Sequence, residues 1–484
     1  MLTTMIFLPV LTALIIMMYK DNTEIPKKLA LFTSLVLLGM GIFAYLGFDG
    51  SNPDFQYVEK LAWFPGMGIN YYLGTDGISF PLILLTLILT PLVVYFSWDQ
   101  KKRPALYFAL FMIIEAGVIG VFSSLDFILF FIFWEIVLIP MFFVIGIWGG
   151  ARKEYASFKF LIYTHIASLV LLIGIFAMYF HGAEILGYRT FSIPELTNAA
   201  FTMDFQMFWF PVLFLAFAVK IPIVPFHTWL PDAHVEAPTG GSAMLAGVLL
   251  KMGTYGMLRV AYLMNPDVTG YFVIPVITLG LMNVVYGALV ALKQDDLKKM
   301  IAYSSISHMG FVVLGIQSYN LYGLKGAVFQ MVAHGLISAA LFMSCGTVQY
   351  ATGTRRISLL QGMYNKMPVG MTLMIIGFFA SMGMPGFIGF IGEFTVLLGF
   401  YQAYGFWVVL LGLGIILSVA YYLWAFQRVA YGHTPISFSG VKDIKRNEIV
   451  AISLLLAVVV YFGLQPEHIF TIIDGKVISL LSGF

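Results

Sequence analysis

Phe214-Leu-Ala-Phe-Ala-Val-Lys220-Ile-Pro222-Ile-Val-Pro225 places a lysine and two prolines inside a run of large apolar side chains. The run leading to Lys220 has the composition of a membrane-spanning helix. Proline, however, removes a backbone donor and clashes with the preceding turn. A helix entering the bilayer here is therefore broken near its middle, beside a charge. Irregular backbone at that depth survives only where protein or water satisfies its polar groups. The stretch predicts a membrane protein with an internal polar cavity.

Composition agrees. The 484 residues are 60% hydrophobic and 10% charged, with a mean hydropathy of +0.92, against about 25% charged in a typical soluble domain. We expect an all-α integral membrane fold of about fourteen spans, each about 20 residues long. They fall near 1–19, 28–47, 78–97, 105–123, 126–148, 157–181, 207–230, 239–264, 272–292, 299–317, 324–350, 371–400, 405–430 and 448–464. Met1 to Tyr19 reads as the first membrane helix, because it lacks the basic start and small-residue cleavage site of a secretory signal. The single cysteine, Cys345, argues against iron–sulfur clusters and structural zinc, which need several thiolates. There is no Gly-rich phosphate loop, and no nucleic-acid partner is expected.

The loops alternate in charge. Lys20, Lys27 and Lys28; Lys101, Lys102 and Arg103; Arg152 and Lys153; Lys293, Lys298 and Lys299; Arg355, Arg356 and Lys366; and Lys442, Lys445 and Arg446 fall on one side. The positive-inside rule puts these loops in the cytoplasm and both termini outside. The chain then divides into three N-terminal helices (1–104), a five-helix unit (105–264), a second five-helix unit (265–430), and a last helix with its tail (431–484). Spans 4–8 start from the cytoplasm and spans 9–13 from outside, which is the arrangement of an inverted repeat. The fourth helix of each unit, span 7 and span 12, carries a break. In span 12 it is Met384-Pro385-Gly386, followed by Gly389 and Gly392. Packing kinks would give the same prolines. A break beside an ionisable residue in both units, Lys220 and Glu393, fits a functional cavity better.

A charge at the centre of a membrane helix costs about 2.5–3.5 kcal/mol, so each needs a partner, water or a task. Glu135 lies in Phe130-Phe-Ile-Phe-Trp-Glu135-Ile-Val-Leu-Ile-Pro140, Lys251 follows Leu245-Ala-Gly-Val-Leu-Leu, and Glu115 lies in span 4. Glu135 and Lys220 can be read as a structural ion pair holding two helices. Against that, hydrophobic replacements of buried pairs are often neutral or better. His308 and His334 lie in apolar helices between Lys251 and Glu393 in sequence, and imidazole titrates nearest neutral pH. A satisfied core histidine is the other reading of each. His165 is left open. His227 and His234, with Asp232 and Glu236, form either a proton entrance or a hydrogen-bonded turn; a metal site there is not expected.

Burial disfavours the charged form of either a lysine or a carboxylic acid, whereas closeness of the two favours it. A Glu135–Lys220 pair that opens and closes would thus change the lysine's affinity for its proton and pass it toward Lys251 and the histidines. Moving a charge against 100 mV costs about 2.3 kcal/mol, and with no redox cofactor expected in this chain the energy source has to be a partner.

Phe133-Trp-Glu135, Ala218-Val-Lys-Ile-Pro222, His227-Thr-Trp-Leu-Pro-Asp-Ala-His234, Ala237-Pro-Thr-Gly-Gly, Leu249-Leu-Lys251-Met-Gly and Asp296-Leu-Lys-Lys-Met-Ile-Ala-Tyr-Ser-Ser-Ile-Ser-His308-Met-Gly resemble the antiporter-like membrane subunits of respiratory complex I. Mrp-type cation/proton antiporters and membrane-bound hydrogenases share these motifs. Glu393, where related subunits carry lysine, and the end of the chain after the last span point to the M-type, or chain 4, subunits. The resemblance implies a switching pair Glu135–Lys220, a central Lys251, a relay through His308 and His334, and a terminal Glu393. Glu115, His227 and His234 form a second tier. It also implies L-like and N-like neighbours in a prokaryotic cell membrane, or a thylakoid membrane, with flavin, iron–sulfur clusters and quinone on partner subunits. The electron donor is NADH, ferredoxin or a deazaflavin. An Mrp-type sodium/proton antiporter subunit and a scaffold with merely structural charges are the competing readings.

Overall fold

The structure is a computed structural model that describes residues 1–482. Two apolar helices, α1 (Leu2–Met18) and α2 (Ile25–Gly47), precede an antiparallel hairpin of β1 (Gln56–Phe64) and β2 (Ile69–Thr75) with Gln56 opposite Thr75. α3 (Phe80–Phe96) completes the N-terminal part, and the first unit follows as α4 (Pro104–Ser123), α5 (Phe127–Trp148), α6 (Lys153–Leu186), the short α7 (Ile193–Thr197), α8 (Met203–Lys220) and α9 (Trp229–Glu236). It closes with a helical rod made of α10 (Thr239–Met244) and α11 (Leu250–Gly256), with π-helical turns at Leu245–Leu249 and Met257–Tyr262. The second half contains α12 (Val273–Leu292), α13 (Leu297–Ser318), α14 (Leu321–Thr352), α15 (Pro368–Ser381), α16 (Ile388–Tyr404) and α17 (Val408–Ala430), and the chain finishes with α18 (Arg446–Leu464) and α19 (Glu467–Ser482).

Among the described residues, ten helical stretches are long and apolar enough to cross a membrane, and three shorter apolar helices, Leu2–Met18, Phe80–Phe96 and Pro368–Ser381, accompany them. The fourteen spans expected from the sequence are reached only if Leu2–Met18, Phe80–Phe96 and the interrupted rod are counted, Ile388–Ala430 is divided at its turn, and Pro368–Ser381 is joined to Ile388–Tyr404 as one broken span. The hairpin and α19 were not foreseen. Both lie at the end away from the basic loops, here called the outer end.

Local chemistry fixes the helix ends. Asp126 and Asp296 accept backbone N–H groups at the starts of α5 and α13, satisfying donors the first turn leaves free. Gly187 and Gly353, at φ of 79° and 74°, end the long α6 and α14 in a left-handed conformation that suits glycine. The expected breaks are present. Span 7 stops at Lys220 and restarts as α9, and span 12 stops at Ser381 and restarts at Ile388.

Lipid is as apolar as leucine, so close packing rather than the hydrophobic effect joins such helices. The described residues place α13 and α14 almost wholly inside, surrounded by the rod, α16, α18 and α19. The small residues of 238–247 pack against α14. A Cβ on Gly335 would come within 2.7 Å of the Gly247 carbonyl, and one on Gly346 would strike Thr239. The rod and α14 therefore meet backbone to backbone.

Candidate functional site

That close approach sets up the site. Lys251 lies one turn beyond Gly247 on the rod, and His334 directly precedes Gly335 on α14. Lys251 Nζ stands 2.8 Å from His334 Nδ1 and also donates to the Ala246 carbonyl. The His334 and His308 ring centroids are 5.6 Å apart. His308 Nε2 lies 3.2 Å from Glu393 Oε1. Four residues singled out separately in the sequence thus form one buried line: Lys251, His334, His308, Glu393.

The surroundings of His308 bear on its chemistry. Nδ1 faces the Ser304 carbonyl at 2.9 Å, and Nε2 faces the Ser381 carbonyl at 2.9 Å as well as Glu393. Both carbonyls are acceptors, and a neutral imidazole has only one N–H to give. Only the doubly protonated ring donates to both carbonyls at once. Ser381 belongs to the last turn of α15, so the broken helix supplies one acceptor directly. The break also makes room for Glu393, whose Oε2 is buried without a hydrogen-bond partner. A Cβ on Gly383, at φ 74°, would come within 2.6 Å of that oxygen.

The first unit holds the expected switch residues apart. Glu135 and Lys220 are not within ion-pair distance of each other. Glu135 Oε2 lies 3.1 Å from His165 Nδ1, and Glu135 Oε1 is buried without a partner. Lys220 Nζ sits 5.1 Å from the centre of the Trp134 ring, an attractive placement for a cation. Trp134 is itself fixed by donating from Nε1 to Ser168 Oγ at 3.0 Å. The rod joins this region to the central line, since Gly253 of α11 packs on the Lys220–Ile221 segment, where a Cβ would lie 3.0 Å from Ile221 N and 3.1 Å from Lys220 Cβ. His165, left open by the sequence, is the immediate partner of the switch carboxylate.

The second-tier residues divide. Glu115 is fully buried; Thr90 faces it but donates its hydroxyl to the Thr86 carbonyl, leaving both carboxylate oxygens unpartnered. His234 stacks on Phe342 at 4.4 Å with neither ring nitrogen hydrogen-bonded. His227 meets the edges of Tyr286 and Tyr303. Asp232 and Glu236 are held by Lys159 and Arg152 respectively, Lys159 Nζ lying 2.7 Å from Asp232 Oδ2.

Two buried groups were missed. Lys298, counted above among the cytoplasmic loop cations, is buried in the first turn of α13 and donates to the Ala237 carbonyl at 2.9 Å. Its spacing to Ser305 and His308 on one helical face was a usable signal. The other is the outer cluster Asp76–Arg259–Lys476, in which Arg259 Nη2 lies 2.6 Å from both Asp76 oxygens. Nothing local in the sequence joins three residues so far apart.

With this geometry established, the comparisons decide the family. The profile of the NADH:quinone oxidoreductase/Mrp antiporter transmembrane family matches residues 124–418. The chain belongs to that family. The F(420)H(2) dehydrogenase subunit M of Methanosarcina mazei is 40% identical over 494 residues, 99% of this chain and 98% of the relative. The NADH-quinone oxidoreductase subunit M of Rickettsia felis is 40% identical over 487 residues, with the same coverage of 99% and 98%. A chain of respiratory complex I from Thermus thermophilus with bound NADH is 27% identical and superposes with a TM-score of 0.90, over 100% of this chain and 99% of that one. The resemblance to M-type subunits read from the motifs is borne out, and the protein is a multi-pass antiporter-like membrane subunit of the complex I type.

Proposed function

We propose that the chain carries protons across the membrane through Glu135, Lys220, Lys251, His334, His308 and Glu393, as a subunit of a complex I-type quinone oxidoreductase whose redox chemistry lies on other chains. The observation that carries this reading is the buried row from Lys251 to Glu393, in which each member can give or accept a proton and no fixed counter-charge sits against Lys251. The step between the two imidazoles, whose ring centroids are 5.6 Å apart, would run through a bridging water. Glu135 alternates between His165, the arrangement in the structure, and Lys220. Its approach favours the charged lysine and its departure releases the proton toward Lys251.

The Glu135–His165 pair is partly exposed, with side-chain exposures of 23% and 50%. That supports a neighbouring subunit of the N-like or L-like kind against this face, its charge setting where Glu135 points. Flavin, iron–sulfur clusters and quinone belong to partner subunits. The electron donor is NADH, ferredoxin or a deazaflavin, and the setting is a prokaryotic cell membrane. The full-length relatives named above are oxidoreductase and dehydrogenase subunits, which favours redox drive over an Mrp-type ion gradient. Lys251→Met in the assembled complex, reconstituted in vesicles, is expected to cut protons moved per electron severalfold while the complex still assembles. Undiminished proton movement would overturn the relay, and purification without any flavin- or iron–sulfur-containing partner would overturn the redox drive.

A further inference from the structure

α19 lies across the outer ends of several elements and touches two of them through ion pairs, one to the buried Asp76 and one partly exposed. Lys476 Nζ is 3.5 Å from Asp76 Oδ2 and donates to the Pro53 carbonyl at 3.0 Å. Asp76, fully buried in the turn between β2 and α3, holds Arg259 of the rod with both oxygens. The Phe55 ring lies against both cations, 5.3 Å from Arg259 and 4.8 Å from Lys476. Asp474, two residues before Lys476, pairs with Lys325 of α14 at 2.6 Å. Between them, the Gly475 N–H donates to the Gly50 carbonyl at 2.9 Å. A Cβ on Gly475 would come within 2.5 Å of that oxygen.

The two anchored elements are the ones that carry the Lys251–His334 contact. At about 1.5 Å per residue, Arg259 lies about 12 Å along the rod from Lys251, and Lys325 about 13 Å along α14 from His334. The rod has a particular need of an anchor. π-helical turns flank Lys251 on both sides, and Arg259 lies within the second, Met257–Tyr262. Such turns are uncommon and short; resolving one into α-helix rotates the chain beyond it. A rotation of the rod against α14 would carry Lys251 Nζ away from His334 Nδ1.

We propose that α19 is a positioning strap, which holds the rod through Lys476, Asp76 and Arg259, and α14 through Asp474 and Lys325, in the register that keeps Lys251 and His334 in contact. This rests on the relay reading above. Neither Lys476 nor Asp474 touches the proton path; both act through the helices they hold.

The test uses the whole complex in vesicles, with Lys476→Met, Asp474→Asn and the double variant compared with Lys476→Arg and Lys251→Met. Expected are a severalfold fall in protons moved per electron in the double variant, a smaller fall in each single one, a displaced alkaline limb of the coupled pH profile, and recovery of both in Lys476→Arg. A merely structural role lowers the yield of assembled complex but leaves protons per electron and the pH profile of the remainder unchanged, and that result overturns the strap. The two readings separate cleanly. Normal coupling in Lys251→Met removes the relay and the strap with it, whereas lost coupling in Lys251→Met with normal coupling in every strap variant removes the strap alone.

Discussion

Lys251 and Arg259 stand about two turns apart on one helical rod, both buried, and their charges are handled in opposite ways. Arg259 is locked by a carboxylate that gives it both oxygens, with Lys476 as a second cation on the same acid. Lys251 has only a backbone carbonyl and an imidazole nitrogen. A guanidinium keeps its proton at every accessible pH, so the first arrangement can only hold. A primary amine against a neutral imidazole can hand its proton on, so the second can conduct. The difference teaches how to sort buried cations in such a chain: a guanidinium locked by a carboxylate marks structure, and an amine beside a proton-accepting neighbour marks transfer.

The contrast breaks most sharply in stability. Asp76→Ala leaves Arg259 buried with no counter-charge, and losing one partner of a buried pair costs about 3–5 kcal/mol. Thermal and urea unfolding of the purified complex should show a loss of that order confined to this subunit. Lys251→Met removes a charge that had no counter-charge, so its unfolding midpoint should stay put or rise. Equal losses in the two variants would erase the distinction.

A smaller effect is expected where the line ends. Gly383 has φ 74° and faces Glu393 Oε2, so Gly383→Ala strains a left-handed residue by about 1–2 kcal/mol and pushes on the carboxylate. Proton movement per electron should fall further than stability alone explains. Gly187, at φ 79° with open space around its missing Cβ, is the control: Gly187→Ala carries the same backbone strain and should leave coupling untouched.

These sites also show what a sequence reveals. The breaks at Pro222 and Met384-Pro385-Gly386 were legible because proline acts on its own turn. Glu135, Lys220, Lys251, His308, His334 and Glu393 were legible because an ionisable group inside an apolar run is costly and therefore conspicuous. Arg259 and Asp76 went unnoticed because each lies near the end of an apolar run, where hydropathy treats a charge as an ordinary flank. Lys298 was hidden the same way, at the start of α13. The direct Glu135–Lys220 pairing was expected from charge alone, whereas the contact with His165 depends on how α5 and α6 pack. The hairpin and α19 escaped because neither has the length and hydropathy of a span.

His165 offers a gentler test. Its side chain is half-exposed, so His165→Ala opens no cavity in the helix core and should change stability little. If Glu135 moves between His165 and Lys220, removing His165 biases it toward Lys220. Coupling should then change by a few fold, with the unfolding midpoint nearly constant. No change in coupling would leave His165 outside the switch.

The smallest expected effect is no effect, and its sign can be worked out. Burial works to raise the Asp76 carboxyl, but Arg259 and Lys476 outweigh it and hold it down to about 2, below its ordinary 3.8. An acid depressed in the folded state stabilises fully above its unfolded value, and loses that contribution only as pH falls through its folded one. Lys476 is pushed the other way, chiefly by burial, to below its ordinary value. A folded lysine that gives up its proton before the unfolded one adds no loss of stability as pH rises, only a gain at alkaline pH. The outer cluster should therefore contribute a constant amount from about pH 4 to neutral pH, while coupled proton movement through Lys251 and the histidines varies with pH. Unfolding midpoints of the wild type and of Asp76→Asn, followed across that range, should run parallel. If they converge near neutral pH, the cluster titrates where the relay does, and the division between holding and conducting charges on the rod does not stand.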